Sequence, residues 1–148
     1  MRKDAPDLNH TAPRSPAEIL GDLAHLARML DKARALHAGT LGEYIYPCPM
    51  DLALADFLQI DPHLFQKAAA TRTDAQMIEW ITMHGVERSR AEKAAFTAEL
   101  LSMAPDEENL PRFIAARDAA QPGRDDVTTW AQLIDLDEGR LGGGPPSA

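Results

Sequence analysis

The sequence predicts a mainly α protein, a compact bundle of about six or seven short helices with one extended, proline-flanked segment at 41–49. Helix start signals recur along the chain, and the apolar residues that follow them are spaced three or four positions apart, as in amphipathic helices. Only 41–49 combines β-branched and aromatic residues with prolines, and residues that precede proline avoid the helical conformation. Because an isolated strand cannot form a stable sheet, the helices define the fold.

The first helices are placed by a capping box and by glycines. Ser15 to Glu18 pairs an N-cap serine with a glutamate three residues later, and Pro16 suits the first helical position, so a helix is predicted to begin there. Gly21 is expected to break or bend it. The next helix ends before Gly39, a residue type that suits the left-handed position after a helix. Its main stripe consists of Leu23, Leu26, Leu30, Ala33 and His37.

The later helices are marked by N-cap residues, by prolines or by both. Cys48-Pro49 predicts one helix start, and Asp61-Pro62 predicts the next. Another helix is predicted over 110–120, with Pro111 near its start. Further capping boxes lie at Thr73–Gln76, Ser89–Glu92 and Thr129–Gln132.

The two ends of the chain lack helical spacing. Residues 1–14 carry Pro6 and Pro13 and are interpreted as a flexible arm. Residues 141–148 are rich in glycine and proline and are interpreted as a disordered tail. The remaining residues, 15–140, are then predicted to form a single helical domain, which suits the length of the chain.

Composition argues against several classes of function. The 148 residues include 15 Lys and Arg against 23 Asp and Glu, a net charge of −8, so general binding to a nucleic-acid backbone is not expected. No apolar run approaches the length of a membrane span, and no apolar signal core follows the N-terminus. The single cysteine excludes an internal disulfide and fits a reducing compartment, so we expect a cytoplasmic protein without a membrane partner.

Cys48 is the strongest candidate for chemistry. If 41–49 is extended, Tyr44, Tyr46 and Cys48 share one face. As the N-cap of the following helix, the thiol meets free backbone N–H groups and the positive end of the helix dipole, which favour the thiolate, although Asp51 opposes this. The alternative is a buried, inert cysteine that packs as a small apolar residue.

A polar stripe on the preceding helix supplies possible partners. His25, Arg28 and Lys32 lie at positions i, i+3 and i+7, so they share one helix face. If this face meets Cys48, His25 can act as general base while Arg28 and Lys32 clamp an anionic group. The alternative is a solvated face on which Asp31 pairs with its arginine neighbours. Glu43 and Asp51 are further candidates for acid and base.

No metal ion or cofactor is predicted. The chain lacks CxxC and HExxH spacings, and it has no glycine-rich phosphate loop followed by Lys and Ser or Thr. Trp80 and Trp130 lie on or beside apolar stripes, which favours core or subunit contacts over ligand stacking. A homo-oligomer is therefore compatible with the sequence.

Five separated stretches carry a family resemblance. They are Pro13–Pro16, His25–Ala35, Ala38–Tyr44, Cys48–Asp51 and the region 126–140 with its Thr-Thr-Trp. In this order they resemble a bacterial family known only as domain of unknown function 5069, for which no activity is established. The family's motif residues fall here on His25, Arg28, Asp31, Lys32, Arg34, Glu43, Tyr44, Cys48, Asp51, Thr129 and Trp130. Thr129 and Trp130 become site candidates through this resemblance alone.

Two positions depart from the family pattern. The family commonly has proline where this chain has Ala27, a change that need only extend the helix towards its N-terminus. It typically has a polar residue, Asn, where this chain has Pro47. Proline lacks the backbone N–H, which removes a donor beside Cys48 that could have held a substrate carbonyl or oriented the thiol.

Two hypotheses of function follow. In the first, the helix with His25 to Arg34 and the segment Glu43 to Asp51 form a site for a small anionic or polar metabolite. The residue types at this site are compatible with an enzyme and also with a protein that only binds the metabolite. Its catalytic candidates are Cys48 and His25, and its ligand-binding candidates are Arg28, Lys32, Glu43, Tyr44, Tyr46, Asp51, Thr129 and Trp130. In the second, the same residues form a framework in a non-catalytic interaction or structural module, whose acidic C-terminal half could meet a basic partner.

Overall fold

The computed structural model describes residues 4–141, and over this range the chain is mainly helical, as predicted. Its seven helices are α1 (Leu26–Ala38), α2 (Pro49–Leu58), α3 (Pro62–Ala69), α4 (Asp74–His84), α5 (Arg90–Ser102), α6 (Leu110–Ala120) and α7 (Trp130–Asp137). Between 4 and 141 the β pairing is limited to one isolated bridge between Leu20 and Leu23. None of these helices is long and apolar enough to cross a membrane.

The chain divides into two compact units. That residues 15–140 form one domain stays a prediction. The first unit runs to Thr97 and contains α1 to α4 with the beginning of α5. The second begins at Ala98 and contains α6 and α7, around a core of Phe113, Val127, Leu133 and Leu136. The boundary falls within α5.

Helix α1 lies at the centre of the first unit. Every residue from Leu26 to Ala35 is buried, and α3 packs along this helix. The apolar side chains form one core with residues of α2, α3 and α4, including Leu54, Phe65 and Met77, each 0% exposed. Burial of each such side chain contributes about 1.5–3 kcal/mol. A helix enclosed on all sides must also bury its polar residues, and α1 does so.

The predicted helix starts are confirmed for α2 to α7. Asp61 accepts backbone N–H bonds at the start of α3, and the capping boxes of Thr73 and Thr129 are both present. Ser89 and Glu92 form the same reciprocal pair before α5. Cys48 is the N-cap of α2, in an extended conformation and followed by Pro49.

The predicted helix start at Ser15 is wrong. The Ser15 side chain accepts the N–H of Ala17, but the structure there is a turn, and no helix begins before Leu26 in the described chain. Gly21, Asp22 and His25 all have positive φ angles, which interrupt a right-handed helix. The segment instead returns to α1 through a bond from the His25 N–H to the Pro16 carbonyl.

Residues 4–14, assigned above to an arm, contact the first unit. Leu8 is 5% exposed, and its N–H donates to the Thr40 carbonyl. Pro13 is also buried. Leu141 packs against the core of the second unit, and the rest of the predicted tail, 142–148, lies outside the described residues, as do residues 1–3.

Arg14 links this N-terminal segment to two helices. Its guanidinium donates to both oxygens of Asp31 in α1 and to both oxygens of Asp74 in α4. Asp74 also accepts from Arg34, which is 1% exposed. The alternative of a solvated polar face on α1 is therefore wrong, because Asp31 lies in a buried network. Burial favours protonation of Asp74, but the two arginines outweigh it and lower its pKa.

Replacing Arg14 should destabilise the first unit. Arg14→Ala removes the guanidinium that donates to the buried carboxylates of Asp31 and Asp74, so the free energy of unfolding should fall by about 3 kcal/mol. Urea unfolding followed by circular dichroism measures the change. The control is Arg90→Ala, whose guanidinium is 88% exposed and 3.8 Å from Asp22; it should change stability by less than about 0.5 kcal/mol. Equal effects of the two substitutions would contradict a structural role for Arg14.

Candidate functional site

The carboxylate of Asp51 brings α1 and α2 together. One oxygen, Oδ1, lies 2.6 Å from His25 Nε2. The other, Oδ2, accepts from Lys32 Nζ at 2.7 Å and from the Cys48 backbone N–H at 2.9 Å. Asp51 and His25 are 0% exposed and Lys32 is 3% exposed. The expected convergence of the α1 residues on the segment around Cys48 is therefore observed for His25 and Lys32.

The backbone of His25 is strained. The sequence places His25 on a helix face, but it is the N-cap of α1, with φ 72° and ψ −20°, in the left-handed region. Residues with a Cβ rarely adopt this conformation, and each such case costs on the order of 1–3 kcal/mol unless its surroundings hold it. The contacts of the imidazole hold it here. Backbone strain of this kind occurs frequently at functional sites.

The two nitrogens of the His25 ring have different surroundings. Asp51 is ionised at neutral pH, so Nε2 must carry the proton that this carboxylate accepts. Nδ1 is buried and has no hydrogen-bond partner among residues 4–141. An unpartnered buried nitrogen is uncommon. In the neutral imidazole, Nδ1 is therefore the unprotonated, basic nitrogen. The hydrogen bond from Nε2 to Asp51 fixes this tautomer.

Cys48 places the chain's single thiol beside this imidazole. The residue is partly buried, and its ligand atom and those of His25 and Asp51 all lie within 4.8 Å of one another. Its sulfur also accepts the backbone N–H of Asp51 in the capping box of α2. Burial and the charge of Asp51 raise the pKa of the Cys48 thiol, but the neighbouring His25, the charge of Lys32 and the helix amide outweigh them, and the pKa is lowered.

The same contacts shift the pKa values of the partners. Burial opposes ionisation of Asp51, but hydrogen bonding to His25 and the charge of Lys32 lower the pKa of its carboxyl from 3.8 to about 2. Burial also opposes protonation of His25, yet its hydrogen bond to Asp51 and the neighbouring Cys48 thiol raise the pKa of the imidazole. Both shifts favour an imidazolium between a carboxylate and a thiolate.

The predicted tyrosines have separate contacts. Tyr46 is 9% exposed and its hydroxyl donates to the Pro62 carbonyl at 2.6 Å. Burial raises the pKa of Tyr46 far above its ordinary range, so it remains a neutral donor. Tyr44 is partly exposed, and the Arg28 guanidinium lies over its ring at 5.5 Å. The Tyr46–Pro47 peptide bond is cis, and residues 41–48 form turns and bends without a strand.

The other predicted ligand-binding residues lie in different environments. Arg28 is 5% exposed and donates to the Arg14 carbonyl, and Lys32 is bonded to Asp51, so neither forms the open clamp that was expected. Glu43 is exposed in a turn. Thr129 and Trp130 belong to the second unit.

Thr129 and Trp130 have structural contacts within that unit. The Thr129 hydroxyl accepts the Gln132 N–H as the N-cap of α7. The Trp130 ring packs edge-on against Phe113, with centroids 5.1 Å apart, and Arg112 lies over it. These contacts account for both residues as a helix cap and a core aromatic residue.

His, Cys and Asp are also donor types found in metal sites. In this cluster, however, the Lys32 ammonium lies 2.7 Å from Asp51, and its positive charge opposes a divalent cation. His25 Nε2 also faces Asp51 Oδ1 directly at 2.6 Å. These two contacts argue against a metal ion bound by this cluster.

Each member of this cluster could be named from the sequence, but the two pairings of Asp51 could not. The sequence indicates Asp51 as an acid or base candidate and as a charge that weakens the thiolate. The structure shows Asp51 as the common partner of His25 and Lys32. The available signal was its position three residues after an N-cap, from which a carboxylate reaches back to the N-cap N–H.

Comparison with known proteins identifies the family. The family model described as Domain of unknown function (DUF5069) matches residues 10–140, so the chain belongs to this family. A search of curated proteins found no match to the sequence. The family description names no activity.

Acid should weaken the contribution of Asp51 to stability. Its pKa is lower in the folded protein than its ordinary value, so this contribution is complete above pH 3.8 and is lost as the pH falls towards about 2. The difference in unfolding free energy between the wild type and Asp51→Asn should therefore shrink by about 2 kcal/mol between pH 4 and pH 2. Urea unfolding at a series of pH values measures it.

The control for this pH series is Asp118→Asn, which removes an exposed carboxylate of α6. It tests for the general effect of removing one acidic group. A difference between wild type and Asp51→Asn that stays constant from pH 4 to pH 2 would contradict an ionised, hydrogen-bonded Asp51.

Proposed function

We propose that this member of the domain of unknown function 5069 family uses Cys48 as a nucleophile towards a small, polar or anionic electrophile. The observation that carries this proposal is the buried His25 imidazole, which is bonded to Asp51 through Nε2 and has no partner at Nδ1. Such a group beside a thiol is the arrangement that activates nucleophilic cysteines: an acid orients an imidazole, and the imidazole takes the thiol proton.

The proposed step needs no oxidant or reductant. The Cys48 proton passes to His25, and the imidazolium is held between Asp51 and the thiolate. The sulfur then forms a bond to an electrophilic carbon of the substrate, while the bond from this carbon to its leaving group breaks and the leaving group keeps the electron pair. Because His25 is 0% exposed, the substrate meets the site through the partly exposed Cys48, and the proton leaves later to solvent.

The local charges favour a polar or anionic substrate. Three positively charged features lie near the thiol: the N-terminal end of α2, the His25 imidazolium and the Lys32 ammonium. The carboxylate of Asp51 neutralises one of these positive charges. A reactive free thiol of this kind is maintained in a reducing compartment. The proposal therefore places the protein in the cytoplasm of a bacterium, without nucleic-acid or membrane binding.

A second candidate is a structural role in an interaction module. Asp51 accepts from two side chains of the α1 region and from the start of α2, so the cluster also fixes the position of α2 on α1. In that case function lies in binding another protein, and Cys48 reacts as an ordinary partly buried thiol. The reactivity of Cys48 separates the two candidates.

Alkylation of Cys48 tests the nucleophile directly, because the chain has a single cysteine and every adduct reports on this residue. The rate with iodoacetamide should rise with pH through a midpoint below the ordinary cysteine pKa of about 8.5. His25→Asn keeps a residue that tolerates the left-handed backbone but removes the base. It should lower the rate at pH 7 by about tenfold or more.

His84→Asn supplies the matched control, since it changes an exposed histidine of the same unit whose Nδ1 bonds to the Trp80 carbonyl. Its alkylation rate should equal that of the wild type. A wild-type midpoint at or above the ordinary range, or a His25→Asn rate equal to the wild type, would exclude Cys48 as an activated nucleophile and favour the structural module.

Substrate charge can be tested with two electrophiles that differ by one carboxylate. We compare the ratio of the alkylation rate with iodoacetate to the rate with iodoacetamide. In the folded protein this ratio should be about threefold or more above the ratio for the same chain in urea, because fixed positive charge concentrates anions. Mass spectrometry of the intact chain measures both rates. A ratio equal to or below that of the unfolded chain would exclude a preference for anions and leave neutral polar substrates.

A further inference from the structure

We infer that Lys32 is a positioning residue for the Cys48 nucleophile, acting through Asp51 and not by binding substrate. This inference rests on the proposed function and assigns Lys32 a role different from the anion clamp that the sequence suggested. Lys32 is 3% exposed, and its Nζ is 2.7 Å from Asp51 Oδ2. An ammonium group in this position is hidden from a substrate that arrives at the thiol.

Lys32 and Cys48 share one oxygen of Asp51. The oxygen that accepts from Lys32 also accepts the Cys48 backbone N–H at 2.9 Å, whereas His25 bonds to the other oxygen. Lys32 thus holds the carboxylate in the rotamer that presents Oδ1 to the imidazole and Oδ2 to the residue bearing the thiol. Without this ammonium, Asp51 loses one of its three donors.

Charge balance shows why a cation is needed here. With a protonated His25 and an ionised Cys48, the cluster holds two positive charges, His25 and Lys32, and two negative charges, Asp51 and the thiolate. Removal of Lys32 leaves two buried negative charges near one positive charge. Like charges in a buried site disfavour ionisation, so the thiolate would become harder to form.

The other charged and titratable neighbours do not replace Lys32. The groups that act electrostatically on the thiol are His25, Asp51 and Lys32, and Tyr46 is the further titratable group beside it. Tyr46 is neutral, and its hydroxyl donates to the Pro62 carbonyl. Arg28 lies against Tyr44 and the Arg14 carbonyl. Among residues 4–141, Lys32 is therefore the second cation that faces Asp51, beside the imidazolium of His25.

The test is the pH profile of Cys48 alkylation by iodoacetamide in three variants. Lys32→Met removes both the charge and the hydrogen bond. Lys32→Gln removes the charge but keeps an N–H donor for Asp51, so it is the variant expected to retain the fold. Lys32→Arg keeps the charge. Circular dichroism confirms helicity before each profile is measured.

The profile separates positioning from a merely structural role. In Lys32→Gln the midpoint should move to higher pH, with a rate at pH 7 about tenfold below that of the wild type, while the plateau at high pH is unchanged. Lys32→Arg should keep the wild-type midpoint. A structural role would change the plateau, where the thiol is already ionised, and leave the midpoint in place.

The outcomes also separate this inference from the proposed function. The midpoint of the wild-type profile could lie below the ordinary cysteine range and stay there in Lys32→Gln. This result would overturn the role of Lys32 and leave the Cys48 nucleophile intact. A wild-type midpoint in the ordinary cysteine range would overturn the nucleophile itself. A raised midpoint in Lys32→Gln, restored by Lys32→Arg, supports the positioning role.

Discussion

The buried carboxylate of Asp51 is the contact on which the site and the junction of α1 with α2 depend. It accepts from His25, from Lys32 and from the N-cap of its own helix, and it is 0% exposed. An unpaired carboxylate in this position would cost several kcal/mol, so its donors cannot be lost one at a time without a large penalty. Helix capping and helix docking therefore share one group with the proposed chemistry of the thiol.

The strained backbone at His25 fits this arrangement. A left-handed N-cap lets the chain turn sharply into α1 while the imidazole points inward to Asp51. A residue chosen for stability alone would be glycine or asparagine at such an angle. The presence of histidine, with one ring nitrogen unpartnered, is explained if the base is needed. The strain is balanced by the carboxylate that receives the ring.

Local signals predicted most of the helices and part of the site. Capping residues and prolines act within four positions of each other, so the starts of α2 to α7 could be inferred from neighbouring residues. The same logic placed Cys48 at an N-cap. It failed at Ser15, where a capping pattern is present but the left-handed residues after it lead the chain back to α1. The local helix propensity of a segment has little effect on its structure when tertiary contacts oppose the helix.

The sequence by itself determined that the protein is mainly helical and acidic and that its single cysteine precedes a helix as the N-cap. Only the tertiary structure decided that α1 is enclosed, because burial depends on which elements pack around a helix and not on its own spacing. Because α1 is enclosed, its polar stripe of Arg28 and Lys32 is buried and does not face solvent. Lys32 bonds to Asp51 there. Residues far apart in the chain, such as Arg14 and Asp74, meet only once the helices pack.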